Sequence, residues 1–285
     1  MTDRYIDVGS IRTRYWQAGT AGSAVVLLHG IGCSVLEWQR NVAALAAHHR
    51  VFALDLLGYG LSDKPTDETY TIRRLAQFTL DFMSAHGIAK AHLAGNSLGG
   101  RLALDCAIIA ADRVTSLLLV SPAGVDGPET LLEFRLATLP LLGEVFTQPN
   151  HPGTRMLWNK AFADPRGFVT DELVRTKVEL ARLPGAQSAF LQTLRSFVDI
   201  SGFRKGPVTE LHAALPSVTA PTLVVWGRDD RFVPAKHAKA LRRLPHVEIE
   251  IWDQCGHAPQ IECAERFNEA ALNFWGKVDA TETKA

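Results

Sequence analysis

Between residues 91 and 111 an apolar run, Ala91-His92-Leu93-Ala94, passes directly into Gly95-Asn96-Ser97-Leu98-Gly99-Gly100 and then into an alanine- and leucine-rich helical pattern. A strand must therefore reverse into a helix over a handful of residues. Glycines on both sides of Ser97 leave the backbone free to take an unfavourable conformation and let strand and helix pack closely. This is the sequence form of a nucleophile elbow, in which a serine hydroxyl is exposed above the end of a strand. The N-terminus of the following helix brings free N–H groups beneath the hydroxyl.

The surrounding pattern extends this unit into a layered fold. Residues 4–8 and 11–17 alternate around Gly9-Ser10 and read as an antiparallel hairpin. Short continuous apolar runs then alternate with helical patterns. Strands are expected at 24–28, 51–54, 91–94 and 116–120, and helices at 37–47, 72–86 and 98–111. Continuous rather than alternating runs indicate strands covered on both faces, hence a parallel sheet in an α/β fold. From 123 to 212 only helical patterns occur, broken by Pro140, Pro149, Pro152, Pro165 and Pro184. The alternation resumes with a strand at 222–226, a helix at 235–244, a strand at 247–252 and a helix at 264–275. Two late strands cannot close a core alone, so residues 123–212 are expected to form a helical cap inserted into one core made of 1–122 and 213–285. The polar tail 281–285 is expected to fray.

Composition narrows the partners. With 30 basic and 30 acidic side chains in 285 residues, no net field recruits nucleic acid or an anionic membrane. The N-terminus lacks a signal-peptide layout, and the longest apolar stretch carries Asp105 and is too short to span a bilayer. Cys33, Cys106, Cys255 and Cys263 have neither metal-ligand nor disulfide-framework spacing, which suits a cytoplasmic protein. Cys255 precedes His257 by two residues, which invites a redox or nucleophilic role. With Ser97 already in the nucleophile position, it reads as a small semi-buried thiol.

Five motifs occur in order: His29-Gly30-Ile31-Gly32, Asp55 to Ser62 with Gly58 and Gly60, Gly95 to Gly100, Gly227 to Pro234, and Gly256-His257-Ala258-Pro259. In this arrangement the chain resembles the α/β-hydrolase family over essentially its whole length. The resemblance implies a mostly parallel eight-stranded sheet flanked by helices, no cofactor and no metal. It also implies Ser97 as nucleophile, His257 as general base and then acid, and an aspartate orienting the imidazole, each on a loop at a strand's C-terminal end. The acid is the fourth residue of Gly-x-x-Asp, which selects Asp230 and leaves Asp229 as a solvated neighbour. Asp126 or Glu129 is the alternative, after the preceding core strand. The oxyanion would be met by the backbone N–H groups of Ile31 and Leu98. His29 would brace its loop, and Asp55 with the Gly58-Tyr59-Gly60 turn would hold a neighbouring one.

A serine at 97 sets the chain apart from relatives that use an aspartate there, the haloalkane dehalogenases and epoxide hydrolases. Acyl-transfer chemistry remains. The leading expectation is a carboxylesterase acting on small to medium apolar esters. The alternative is a C–C hydrolase of 2-hydroxy-6-oxo-dienoate ring-fission products, which Gly95 to Gly100 and Trp226 to Pro234 closely resemble. The chain departs from that group in lacking Gly-Pro-Gly character after Gly30 and in carrying Ala258 where an aromatic residue is usual. A cap arginine is expected there, with Arg175 as candidate. A third reading is a small-ligand receptor with weak hydrolysis. Apolar cap residues (Leu131, Leu132, Phe134, Leu136, Leu139, Leu141, Leu142, Val145, Phe146 and Trp158) are mostly expected to pack, with some lining a pocket.

Overall fold

The structure, a computed structural model, describes residues 1–282. Strands β1 (Arg4–Val8) and β2 (Ile11–Ala18) form the expected hairpin. They are followed by β3 (Ala24–Leu28), α1 (Val42–Leu45), β4 (Arg50–Leu54), α2 (Ile72–Ala85), β5 (Ala91–Asn96), α3 (Leu98–Ile109) and β6 (Val114–Val120). Next come α4 (Leu132–Ala137), α5 (Leu142–Phe146), α6 (His151–Ala161), α7 (Asp171–Ala181) and α8 (Ala186–Phe197). The short pair β7 (Val198–Asp199) and β8 (Gly202–Phe203) precedes α9 (Lys205–Ala214), β9 (Thr222–Gly227), β10 (Val247–Trp252), α10 (Pro259–Glu262) and α11 (Ala264–Glu282).

Eight strands form one sheet in the order β1-β2-β4-β3-β5-β6-β9-β10. β2 pairs antiparallel with β1 and β4, and every other pairing is parallel. Continuous apolar sequence in β3, β5, β6 and β9 leaves every residue of those strands buried, because helices cover both faces. β6 and β9 are sheet neighbours, with Leu117 opposite Thr222, so about 100 residues intervene between adjacent strands. Asp230 and His257 follow β9 and β10, whereas Ser97 follows the more central β5. All three therefore sit at the carboxyl edge of the sheet, where open α/β sheets bind ligands.

The segment expected as a helix over 37–47 is instead a 3₁₀ turn, Val35–Trp38, followed by the single turn α1. Its residues are committed elsewhere. Val35 N–H bonds Asp55, Glu37 pairs with Lys177, and Asn41 donates to Gln260 and Asn268. Residues 123–212 are not wholly helical, because β7 and β8 pair antiparallel within them. Two-residue strands are too short to leave an alternating pattern. The segment 235–244 is a 3₁₀ run, Ala235–Arg243. Thr281 and Glu282 of the polar tail close α11 rather than fray, and 283–285 lie outside the described residues.

At the opposite edge of the sheet a polar network fastens α11. His92 Nε2 lies 2.9 Å from Asp279, and its Nδ1 lies 2.7 Å from Ser116 Oγ. Ser23 Oγ joins Asp279, His92 and His49. Burial lowers the His92 pKa from 6.5 to about 4, so this network works with a neutral imidazole.

Candidate active site

Ser97 has φ 56 and ψ −114, a conformation reserved almost entirely for glycine. Strain of this kind costs roughly 1–3 kcal/mol and persists only where neighbours over-determine it. Here they do: Ser97 N–H donates to Val120 O at 2.9 Å, and its carbonyl accepts from Ala123 and Arg101. The glycines are required for contact as well as rotation. A Cβ on Gly95 would lie 2.2 Å from the Gly99 carbonyl, and one on Gly99 would lie 2.1 Å from Leu28 O. Leu98 is the first residue of α3, where backbone N–H groups have no partner within the helix.

The loop after β3 comes against Ser97. A Cβ on Gly30 would stand 3.4 Å from Ser97 Cβ. Cys33 N–H bonds Gly30 O and Gly32 has φ 69, so Gly30 to Cys33 form a type II-like turn. His29 locks that loop in place. Its Nδ1–H donates to Gly30 O at 2.7 Å, and its Nε2 accepts Leu56 N–H at 3.0 Å. Burial lowers its pKa from 6.5 to about 4, with Asp55 opposing. Asp55 in turn pairs with Arg14 and accepts from Val35 and Leu61, which makes it a fully buried loop anchor.

Asp230 and His257 are joined, with Asp230 Oδ2 2.8 Å from His257 Nδ1. The carboxylate also accepts the backbone N–H groups of Phe232 and Val233 and the Trp226 indole N–H. Four donors hold it in one orientation. Asp229 is exposed and meets Cys255 O only through its backbone N–H. The alternatives are engaged elsewhere, Glu129 with Lys236 and His237, and Asp126 with Lys239. Phe232 stacks on the His257 ring at 4.7 Å, and Asn96 Nδ2 donates to His257 O at 2.9 Å.

Ser97, His257 and Ile31 line one cavity of about 350 Å³, together with Asn96, Phe232 and side chains of the segment between β6 and β9. Phe134, Phe146 and Trp158 are the expected cap residues that reach it. Leu131 is buried without lining it, and Leu132, Leu141, Leu142 and Val145 are exposed.

Sequence reasoning missed the cavity's charged pair. Arg175 is exposed and does not line the cavity, whereas Lys177 is buried, lines it and pairs with the equally buried Glu37. Lys177 Nζ also lies 4.3 Å from the centre of the Trp158 ring. Burial works against the ammonium, but the Glu37 carboxylate, by charge and by hydrogen bond, together with Asp55, opposes it, and the Lys177 pKa is raised. Cys33, on the same wall, is pushed up to about 12 by burial and then by Glu37, which leaves it a neutral thiol. One signal was available. Val174, Lys177 and Val178 fall at i, i+3 and i+4, on the buried face of α7.

A family model described as the alpha/beta hydrolase family matches residues 25–270. A 2-hydroxy-6-oxononadienedioate/2-hydroxy-6-oxononatrienedioate hydrolase from Burkholderia vietnamiensis is 32% identical over 282 residues, covering 96% of this chain and 95% of its own. A 2-hydroxy-6-oxo-6-phenylhexa-2,4-dienoate hydrolase from Burkholderia cepacia is 32% identical over 259 residues, covering 89% and 87%. Among solved structures, the hydrolase of the same phenyl dienoate from a Rhodococcus species superposes with TM-score 0.83 at 27% identity, covering 96% and 98%. With a model match over most of its length and full-length relatives above 30% identity, the chain belongs to the alpha/beta hydrolase family.

Proposed function

We propose that the chain hydrolyses the carbon–carbon bond next to the 6-oxo group of a 2-hydroxy-6-oxo-dienoate, with Ser97 as nucleophile and His257 and Asp230 as its base and orienting acid. One observation carries this reading. The Asp230-anchored His257 and the strained Ser97 share a cavity with the buried ammonium of Lys177, in a chain whose full-length relatives bear that substrate in their names. A dienoate has a carboxylate at one end and a ketone at the other, so a cavity for it needs a cation and a nucleophile.

In the proposed reaction the 2-enol proton is transferred to C5, which gives a 2-oxo compound able to accept electrons. Ser97 Oγ attacks the C6 carbonyl while His257 Nε2 takes its proton, and the oxyanion is met by the N–H groups of Ile31 and Leu98. Collapse breaks C5–C6. The electron pair moves through C4 and C3 to the C2 oxygen, and the proton held by His257 passes to the departing dienolate, which leaves as 2-hydroxypenta-2,4-dienoate and restores the neutral imidazole. Water activated by His257 then releases the acid from Ser97. Lys177 would hold the substrate's carboxylate end, using the N–H groups that Glu37 does not occupy.

Ester hydrolysis by the same residues is the second reading. Glu37 favours it, because a carboxylate beside Lys177 cancels the charge that would attract an anionic substrate. A panel of ring-fission dienoates and p-nitrophenyl esters separates the two. Faster decay of the coloured dienoate supports C–C cleavage, and faster release of p-nitrophenol refutes it in favour of ester hydrolysis.

A further inference from the structure

The loop that carries His257 holds a second pair of groups, unused in the chemistry above. Cys255 and Cys263 bring their Sγ atoms within 3.2 Å of one another. A disulfide needs roughly 2.05 Å, so a shift of about 1 Å separates this pair from a covalent link. We propose that Cys255 and Cys263 are an oxidative modification site, at which a hydroperoxide converts the dithiol to an intrachain disulfide.

The two thiols are unequal in the way such a step requires. Cys255 is fully buried, whereas Cys263 is partly exposed and open to a small oxidant. Cys263 directly precedes α11, and its carbonyl accepts Phe267 N–H at 2.9 Å, which makes it the cap of a 19-residue helix. A helix N-terminus favours a thiolate. The contact with Cys255 lowers the Cys263 pKa against burial and the Glu262 carboxylate, with Arg266 assisting, and the same contact raises that of Cys255. Its partial exposure and its place at the start of α11 make Cys263 the attacking thiolate. The remaining cysteines lack these conditions. Burial pushes Cys33 up to about 12 and raises Cys106, whose Sγ lies 3.3 Å from Ala76 O.

The balance is simple. The Cys263 thiolate attacks the peroxide, the O–O bond breaks, and a protonated alkoxide or water leaves behind a sulfenic acid. The Cys255 sulfur then attacks the sulfenic sulfur and expels the hydroxyl as water. Two thiols and one hydroperoxide give one disulfide, one alcohol and one water, and a dithiol reductant reverses the product.

The bond would act on His257 through a segment held from both sides. Cys255 O accepts Asp229 N–H, and Gly256 N–H donates to Glu262 Oε2. Glu262 Oε1 accepts Ala163 and Asp164, and His257 N–H donates to Ala161 O at 2.7 Å. Drawing Cys255 towards Cys263 displaces a loop with no slack. A displacement of this size at a reacting group can cost up to about 100-fold in rate.

The test uses the full chain with hydrogen peroxide at near-stoichiometric amounts. No lysine or arginine lies between Arg243 and Arg266, so both cysteines fall in one tryptic peptide. The expected product is that peptide lighter by two hydrogens, resistant to alkylation until a dithiol is added, and absent from Cys263→Ser and Cys255→Ala variants. Peroxide that leaves the pair alkylatable, or carries Cys263 to the sulfinic acid without a disulfide, overturns the site. This mass readout stands whether or not the proposed hydrolysis is correct. Fluorophosphonate labelling of Ser97 should slow in the disulfide form and recover on reduction. An unchanged rate in fully oxidised protein overturns the coupling to His257.

Discussion

Asp230 Oδ2 lies 2.8 Å from His257 Nδ1, while the adjacent Asp229 points to solvent. The distinction between two neighbouring, chemically identical residues is made by donors. Asp230 receives Phe232, Val233 and Trp226 in addition to the imidazole.

Asp230→Asn should lower kcat/KM on any accepted substrate by roughly 10⁴-fold, because an amide no longer selects the Nδ1–H tautomer or stabilises the imidazolium. Asp229→Asn should stay within about twofold of the parent, as exposed substitutions usually do. Equal losses in steady-state kinetics would sink the assignment of Asp230.

Ser97→Gly and Ser97→Ala should both abolish turnover yet differ in stability. The backbone at φ 56 is strained for any residue with a Cβ. Relief of that strain outweighs the extra unfolded-state entropy of glycine. The glycine variant should therefore unfold in urea with about 1 kcal/mol more stability than the alanine variant. The reverse order would mean that the elbow stores no strain.

Lys177→Met and Glu37→Met should each destabilise by about 3–5 kcal/mol, since each leaves the partner's buried charge uncompensated. The double variant Lys177→Met with Glu37→Met should regain most of that loss. Losses that simply add in urea denaturation would show that the two side chains do not depend on one another.

The buried imidazoles of His29 and His92 set an acid limit. Each has its pKa lowered from 6.5 to about 4 by burial. The unfolded chain takes up these protons as pH falls through 6.5, while the folded protein refuses them until about 4. The stability tied to neutral imidazole is intact above pH 6.5 and is lost towards pH 4, by on the order of 3 kcal/mol per group. His29→Gln should flatten this slope in denaturant titrations at stepped pH. An unaltered slope would place the proton uptake elsewhere.

Much of the site was legible because its parts are local. An elbow needs glycines at fixed offsets from the serine, and a carboxylate that accepts the N–H groups two and three residues on needs Asp230 just ahead of the Phe232-Val233-Pro234 turn. The rest depended on distant partners. Glu37 and Lys177 are 140 residues apart and look like surface charges until α7 turns its apolar face inward. Arg175, two residues earlier, seemed as suitable and lies on the exposed side. The helix expected over 37–47 was lost to competing side-chain bonds at Glu37 and Asn41 that no periodicity records. Cys255 and Cys263 showed no framework spacing, and only the turn through α10 brings them together.

The chain by itself determined the layered order of strands and helices, the elbow at Ser97 and the succession of Ser97, Asp230 and His257. Each of these rests on short-range geometry: alternation, turn chemistry and glycine at points of close approach. Tertiary structure alone decided which cation entered the cavity and that Cys255 and Cys263 meet. Those outcomes depend on burial and on how elements pack, from the turn through α10 to the meeting of Glu37 with Lys177 across 140 residues, where desolvation makes one pairing obligatory.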